Sequence, residues 1–333
     1  MSKDSPQVVE VIGCRGSGKS TLVDSAFFDY ANVLYVPVRF DEGLIVEPMS
    51  GMKHTVAELC KQVETSMLLN TYLGLLGDKD KVPDYVLEAL LDFSPEASSL
   101  FSRVNRNVDG IDKSMKGSFC QIRMALESFI SIVCTVGPLV IFFDNAHCAD
   151  NISLETIHYI LCNVDIRNLL MCVSYRDDSI SEPLDKWRKE VLKHLSIETI
   201  LLSNLSQDEV FKVVSAVFKS ESSDIAQLAE LIAERSQGSV FFLLQMLEDL
   251  QENGLLEYDF TIFQWSFSIE ECRAKLPVTN NVVKLLASRF DQLSRNAEQL
   301  LKLISCFDTQ ISIPILEAAR EVLFCFGDIE NTL

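Results

Sequence analysis

Gln7-Val8-Val9-Glu10-Val11-Ile12-Gly13-Cys14-Arg15-Gly16-Ser17-Gly18-Lys19-Ser20-Thr21 is the stretch whose reading decides the fold of this 333-residue chain. A short apolar run, predicted as a strand over Val8–Ile12, enters a loop punctuated by Gly13, Gly16 and Gly18. Lys19-Ser20-Thr21 then opens a helix. This is the pattern G-x-x-x-x-G-K-[ST], a phosphate-binding loop. Glycines let the backbone turn its N–H groups inward toward phosphate oxygens, and a helix start adds its positive dipole end. Gly13, Cys14, Arg15, Gly16, Ser17, Gly18, Lys19, Ser20 and Thr21 are therefore the candidate nucleotide-binding residues. Lys19 is of a length to reach the β- and γ-phosphates, and the Ser20 hydroxyl is a candidate Mg²⁺ ligand.

Outward from the loop, Leu22, Val23, Ala26 and Phe27 give the first helix one apolar face. Val33–Val38 reads as a second buried strand and Arg39–Met52 as a loop. A helix over Val56–Leu73 is ended by Gly74 and Gly77. Residues 78–115 are acidic with short apolar clusters at Tyr85–Leu91 and Leu100–Val104, an irregular helical insertion. A helix over Ile122–Ile132 precedes Leu139-Val140-Ile141-Phe142-Phe143-Asp144-Asn145. Five large apolar residues closed by an acid predict a central strand of a parallel sheet, buried on both faces. A helix from Asn151 or Ser153 follows, and further strands are predicted at Leu169–Tyr175 and Glu198–Leu202. Strands alternating with helices imply an α/β fold, a parallel sheet layered by helices.

The pattern changes after Leu202. Ser206-x-x-Glu209 is a capping box ahead of a helix carrying Val210, Val213, Val214 and Val217. A second helix stops near Gly238, and a third runs from Val240 to about Asn253, with Gly254 as its C-cap. Leu255–Tyr258 and Thr261–Phe267 read as a hairpin. Helices are expected at Val282–Leu293, at Glu298–Ile304 and from Pro314 to Phe324. The expected domains are a nucleotide-binding α/β domain over 1–203, a helical subdomain over 204–254 and a C-terminal region over 255–333. The last ends without a clear cap, as expected of a fragment of a longer chain.

The formal net charge of −19 argues against non-specific binding to nucleic acid or to an anionic membrane surface. Ten cysteines are scattered singly without a paired framework, as expected of reduced thiols in the cytoplasm. The four histidines show no metal-ligand spacing. The most apolar segment, Phe129–Phe143, is interrupted by Gly137-Pro138 and is too short to span a bilayer.

Chemistry gathers at two further strand ends. Asp144 would stand at a carboxyl edge, where open α/β sheets place ligands, and would hold Mg²⁺ opposite Ser20. Asn145 follows, where hydrolysing relatives of such enzymes usually carry a second acid. An amide can orient a water but cannot take its proton, so slow or absent hydrolysis is expected. His147 and Asp150 are nearby alternatives. Arg176 ends the next strand; beside the phosphate loop, its guanidinium would sense the γ-phosphate. Lys19, Asp144, Asn145 and Arg176 are thus the candidate catalytic residues. No Asn/Thr-Lys-x-Asp element for guanine is present, which favours ATP or ADP as ligand.

Phe143-Asp144-Asn145-Ala146-His147-Cys148-Ala149-Asp150, followed by Ser153-Leu154-Glu155, resembles the Walker B region of Orc1-like AAA ATPase domains. These belong to the STAND class of signal-transduction P-loop NTPases. Tyr175-Arg176-Asp177 is similar to the family's sensor 1 strand end, and Ser236-Gln237-Gly238-Ser239-Val240-Phe241-Phe242 to its lid motif. Gly254-Leu255-Leu256, Trp265 and Val278-Thr279-Asn280-Asn281-Val282-Val283 fit the continuation into a winged-helix-like region. The resemblance implies an AAA-like core, a helical lid and a winged-helix-like C-terminal region, with a nucleotide bound between core and lid. It also implies a setting inside multidomain hybrid sensor kinases or cyclases. Three departures stand out: Asn145 for the second acid, Val240 for the lid proline and Cys148 for a tryptophan.

The first functional expectation is a Mg-dependent ATP/ADP switch or regulatory ATPase module in signal transduction, coupled to a protein partner or effector domain. Nucleotide-dependent oligomerisation belongs to that reading. An alternative is an active Orc-like ATPase acting on DNA, which wants a basic C-terminal region. Residues 267–333 carry seven Lys/Arg against nine Asp/Glu. A small-molecule kinase is the third reading, and the lid shows neither an arginine cluster nor an acceptor base.

Overall fold

The computed structural model describes residues 5–27, 30, 33–40, 48–104, 119–163, 166–259, 264–276, 290 and 293–305. The chain divides into two compact units between Ser203 and Asn204.

The first unit is built on five parallel strands: β1 Gln7–Gly13, β2 Leu34–Arg39, β3 Leu139–Asp144, β4 Leu169–Tyr175 and β5 Ile197–Leu202. Their order is β2-β3-β4-β1-β5. β1 therefore lies inside the sheet, with Ile12 beside Tyr175 of β4 and Gly13 beside Leu202 of β5. β3 is buried at all six positions, as its unbroken apolar run requires.

β2, expected as a buried strand, is instead an edge strand with alternating exposure. Pro37 has no N–H to give a ladder, and an edge is where a sheet tolerates it. Helix α2, Ser50–Thr65, covers part of that edge: the Gln62 side chain accepts from Tyr35 N at 3.1 Å and donates to Tyr35 O.

Period-2 alternation gives the sheet two faces. Val36, Ile141, Phe143, Met171, Val173 and Tyr175 join one large core with the helices around them. Val11, Val140, Phe142 and Cys172 make a smaller core with Val23 of α1, Lys19–Phe27. Asp144 and Ser174 continue the second set.

The single helix expected over 56–73 is two. α2 starts at Ser50, inside the expected loop, and α3 spans Leu69–Leu76, so Gly74 sits within it. Residues 78–104, expected within an irregular helical insertion, are largely helical. α4, Asp84–Phe93, and α5, Ser98–Phe101, send Val86, Leu87, Leu90, Leu100 and Phe101 into the main core. α6 is Phe119–Val136, and it alone among the described helices is long and apolar enough to cross a membrane. Its Ala125, Leu126, Phe129, Ile130 and Val133 are buried in the core. α7, Asn151–Leu161, and α8, Glu182–Val191, complete the unit. α8 has no apolar run to mark it, and its charged surface hides three buried positions: Leu184, Trp187 and Val191.

The second unit contains α9 Gln207–Phe218, α10 Ser223–Ser236 and α11 Val240–Glu252 around an apolar core of their own. The Ser206–Glu209 capping box forms in both directions. Gln237 and Gly238 both have positive φ, and the Gly238 carbonyl accepts from Leu205 N at 2.8 Å. A Cβ on Gly238 would lie 2.1 Å from the Leu205 carbonyl oxygen, so only glycine fits there. The hairpin pairs β6 Glu257–Asp259 with β7 Gln264–Ser266, Tyr258 opposite Trp265. α12, Ile269–Lys275, was not expected; Ser268 caps it through Glu271 N. A helix over Arg295–Ile304 is present. The expected helices at 314–324 and over most of 282–293, with the Val278–Val283 motif, lie outside the described residues.

Candidate nucleotide-phosphate site

The loop between β1 and α1 bends at Gly16 (φ +76°) and Gly18 (φ +88°), values that favour glycine. Gly13 is required for a different reason. A Cβ there would stand 2.5 Å from the Leu202 carbonyl oxygen and 2.9 Å from Ser17 Oγ. At Gly18 a Cβ would meet nothing within 4 Å, so the loop keeps open space on that side. Ser17 N donates to Cys14 O at 3.3 Å, closing the turn, while Arg15 and Thr21 face solvent.

Lys19 is 7% exposed, and its ammonium donates to the carbonyls of Gly13 (2.9 Å) and Cys14 (2.8 Å). Burial lowers its pKa, and the fields of Cys14, Asp144 and Asp177 oppose that shift.

Across from α1, the buried Asp144 carboxylate accepts from Ser20 Oγ at 2.8 Å and from Ser174 Oγ. Asn145 N donates to the same carboxylate at 3.1 Å. The sheet brings Ser20 and Asp144 into direct contact across 124 residues of chain. The donor set is hard oxygen beside a glycine-lined loop and a lysine, which fits Mg²⁺ and a polyphosphate. Ser174 was not foreseen; one serine in an apolar strand carries no local signal of its partner.

Asn145 has φ +57° and ψ +42° and leads into the turn Ala146–Cys148. Asn visits this left-handed region at low cost, so its identity has a backbone reason as well as a chemical one. His147 lies within that turn. Asp150 is committed elsewhere. It caps α7, accepting from Ser153 N (2.9 Å) and Ser153 Oγ (2.6 Å), and also accepts from Met49 N at 3.2 Å. These hydrogen bonds hold the Asp150 carboxylate at the start of α7.

Arg176 follows β4, and β4 neighbours β1 as its expected role requires. Its guanidinium pairs with Asp178, Nε to Oδ1 at 3.1 Å, and its charge is felt at Lys19.

A second polar group in this unit was also missed. Glu10 of β1 is 1% exposed, yet its carboxylate accepts from Arg188 (2.8 and 2.6 Å), Tyr175 Oη (2.7 Å) and Thr199 Oγ1 (2.6 Å). Burial alone would raise its pKa, but the hydrogen bonds from Arg188, Thr199 and Tyr175 hold it below the ordinary 4.5. Burial and the Glu10 contact push the Tyr175 phenol upward. The strand bearing the phosphate loop is thereby tied to β4, β5 and α8.

Together the parallel sheet, the glycine loop between its inner strand and a helix, and the Ser20–Asp144 contact define an α/β P-loop NTPase fold. No family profile matches the chain. Over 123 residues it is 26% identical to hybrid signal transduction histidine kinase G of Dictyostelium discoideum, covering 37% of this chain and 4% of that one. Over 312 residues it is 20% identical to the peroxide stress-activated histidine kinase mak3 of Schizosaccharomyces pombe, covering 81% and 13%. The chain therefore spans only 4% and 13% of the length of these relatives. Similar solved structures include a STAND protein with a tetratricopeptide repeat sensor from Pyrococcus horikoshii (13% identity, 94% and 34% covered, TM-score 0.43). Another is the ORC2 protein of Aeropyrum pernix in ADPNP–ADP complexes (12%, 96% and 74%, TM-score 0.43).

Proposed function

We propose that the chain is an ATP- or ADP-binding switch module of the STAND type, working in signal transduction as part of a larger sensor kinase. The observation that carries this reading is the joined site: a glycine-lined loop, a buried Lys19, and Ser20 hydrogen-bonded to Asp144. The partial alignment with two much longer histidine kinases supports the multidomain setting. In this reading Lys19 and the loop N–H groups hold the phosphates, and Ser20 and Asp144 are the oxygens that would hold Mg²⁺. The ion would supply charge neutralisation between the phosphates. Arg176 exchanges Asp178 for the γ-phosphate and so separates ATP from ADP. Asn145 orients a water without accepting its proton, which keeps hydrolysis slow. The output passes to an effector domain, in the cytoplasm, without nucleic acid or membrane contact.

The test is nucleotide binding and turnover in the wild type and in Lys19→Ala and Asn145→Asp. Lys19→Ala should weaken ATP binding at least tenfold, about 1.4 kcal/mol or more. Asn145→Asp should raise turnover with little change in ATP affinity. Equal affinity in the wild type and Lys19→Ala would remove the nucleotide reading. Retention on duplex DNA at physiological salt would instead favour the Orc-like alternative.

A further inference from the structure

His158 and Cys162 lie four residues apart on α7 and its C-cap, so they share one helix face. His194, in the turn after α8, comes to the same place because α7 and α8 pack together. One ligand atom from each of the three lies within 4.8 Å of the others. Cys162 Sγ is already 3.5 Å from His158 Nε2, and the two imidazole rings have centroids 6.0 Å apart. The pattern is His-x-x-x-Cys on a helix plus a distant His.

We propose that His158, Cys162 and His194 form a binding site for a divalent transition ion, zinc foremost, separate from the phosphate loop. Two imidazoles and a thiolate are the donor set that zinc prefers, with metal–nitrogen distances of about 2.0–2.1 Å and metal–sulfur of about 2.3 Å. Around a tetrahedral ion such bonds hold nitrogen and sulfur atoms roughly 3.5 Å apart, so the Cys162–His158 spacing needs no change. Three hard-to-soft donors exclude Mg²⁺ and Ca²⁺, which take oxygen ligands. His158 is half-buried, while Cys162 and His194 are exposed, so an ion can enter from solvent. His158 and Cys162 also line an open cleft of about 660 Å³ between α7 and α8, which leaves room for a water at the fourth position. Binding releases the thiol proton to solvent: the S–H bond is replaced by a sulfur–metal bond, with no change in oxidation state.

The site would pin the end of α8 to α7, and the inference stands or falls independently of nucleotide binding.

The experiment titrates chelator-treated full chain with Zn²⁺ alone and with Co²⁺ alone. Calorimetry reads stoichiometry and affinity, and near-ultraviolet absorption reads the thiolate-to-cobalt band. The wild type should bind one ion per chain and show the band. Cys162→Ser should abolish the band, and His194→Gln should weaken binding at least about tenfold. Zn²⁺ should raise the Tm of the wild type by more than that of either variant at the same concentration. No band in the wild type, a band that survives Cys162→Ser, or unchanged affinity in His194→Gln would each overturn the proposal.

Discussion

Glu10 shows how much a single side chain in this fold can be asked to hold. A carboxylate at 1% exposure is tolerated because Arg188, Tyr175 and Thr199 all donate to it. Removing one partner of such a pair strands the other charge, at a cost of about 3–5 kcal/mol. Arg188 keeps a side-chain exposure of 36%, so solvent reduces that figure. Arg188→Met should therefore destabilise toward the lower end of the range, and more than Glu10→Gln, which leaves a cation able to reach water. The pH dependence has a definite sign. The folded pKa of Glu10 lies below 4.5, so its contribution is present above that value and lost as pH falls through the lower folded value. Urea unfolding from pH 6 downward should show this acid-side loss in the wild type and a flatter profile in Glu10→Gln.

Asn145 makes a second prediction at this scale. Its φ of +57° is costly for a β-branched residue and free for glycine. Asn145→Val should cost about 1–2 kcal/mol of stability, and Asn145→Gly should cost far less, by the same denaturation measurement. The phosphate loop and Asp144 were legible in the sequence because each is a local pattern: glycine spacing in one case, an apolar run closed by an acid in the other. Ser174, Glu10 and Arg188 were not legible. Their roles come from partners about 30 to 190 residues away, and no window of sequence shows those partners.

At the scale of elements, what the sequence marks with capping chemistry is what it places best. Ser206 and Glu209 announce α9, and the structure shows both reciprocal hydrogen bonds. Ser206→Ala should cost about 1 kcal/mol, read as a loss of stability in the second unit by hydrogen exchange along α9. α8 carries its burial on three positions among charges, so apolar counting passed over it. The edge position of β2 was hidden too, since Val36 and Val38 read as buried strand while Pro37 speaks only once the strand order is known. The break between α2 and α3 falls at Ser66, whose ψ of 142° leaves the helix without any glycine or proline to flag it.

At the scale of the molecule, strand order sets which contacts are distant. β3 and β4 pair across a short crossover, Leu139 beside Leu169. β1 instead pairs with β4 and β5, Gln7 beside Leu170 and Val8 beside Ile197. Closing longer loops costs more entropy before any contact rewards it. In refolding followed by pulsed hydrogen exchange, amides of β3 and β4 should gain protection before those of β1. Simultaneous protection of all three strands would contradict this order.

The inner position of β1 also bears on synthesis. Residues 7–13 leave the ribosome about 190 residues ahead of the last strand they must pair with, a wait on the order of 10–40 s at usual elongation rates. Until β4 emerges, late in that interval, Val8, Val9, Val11 and Ile12 have neither neighbour available. Nascent chains of this kind are natural clients for a chaperone that shields an early apolar strand until its flanking strands emerge.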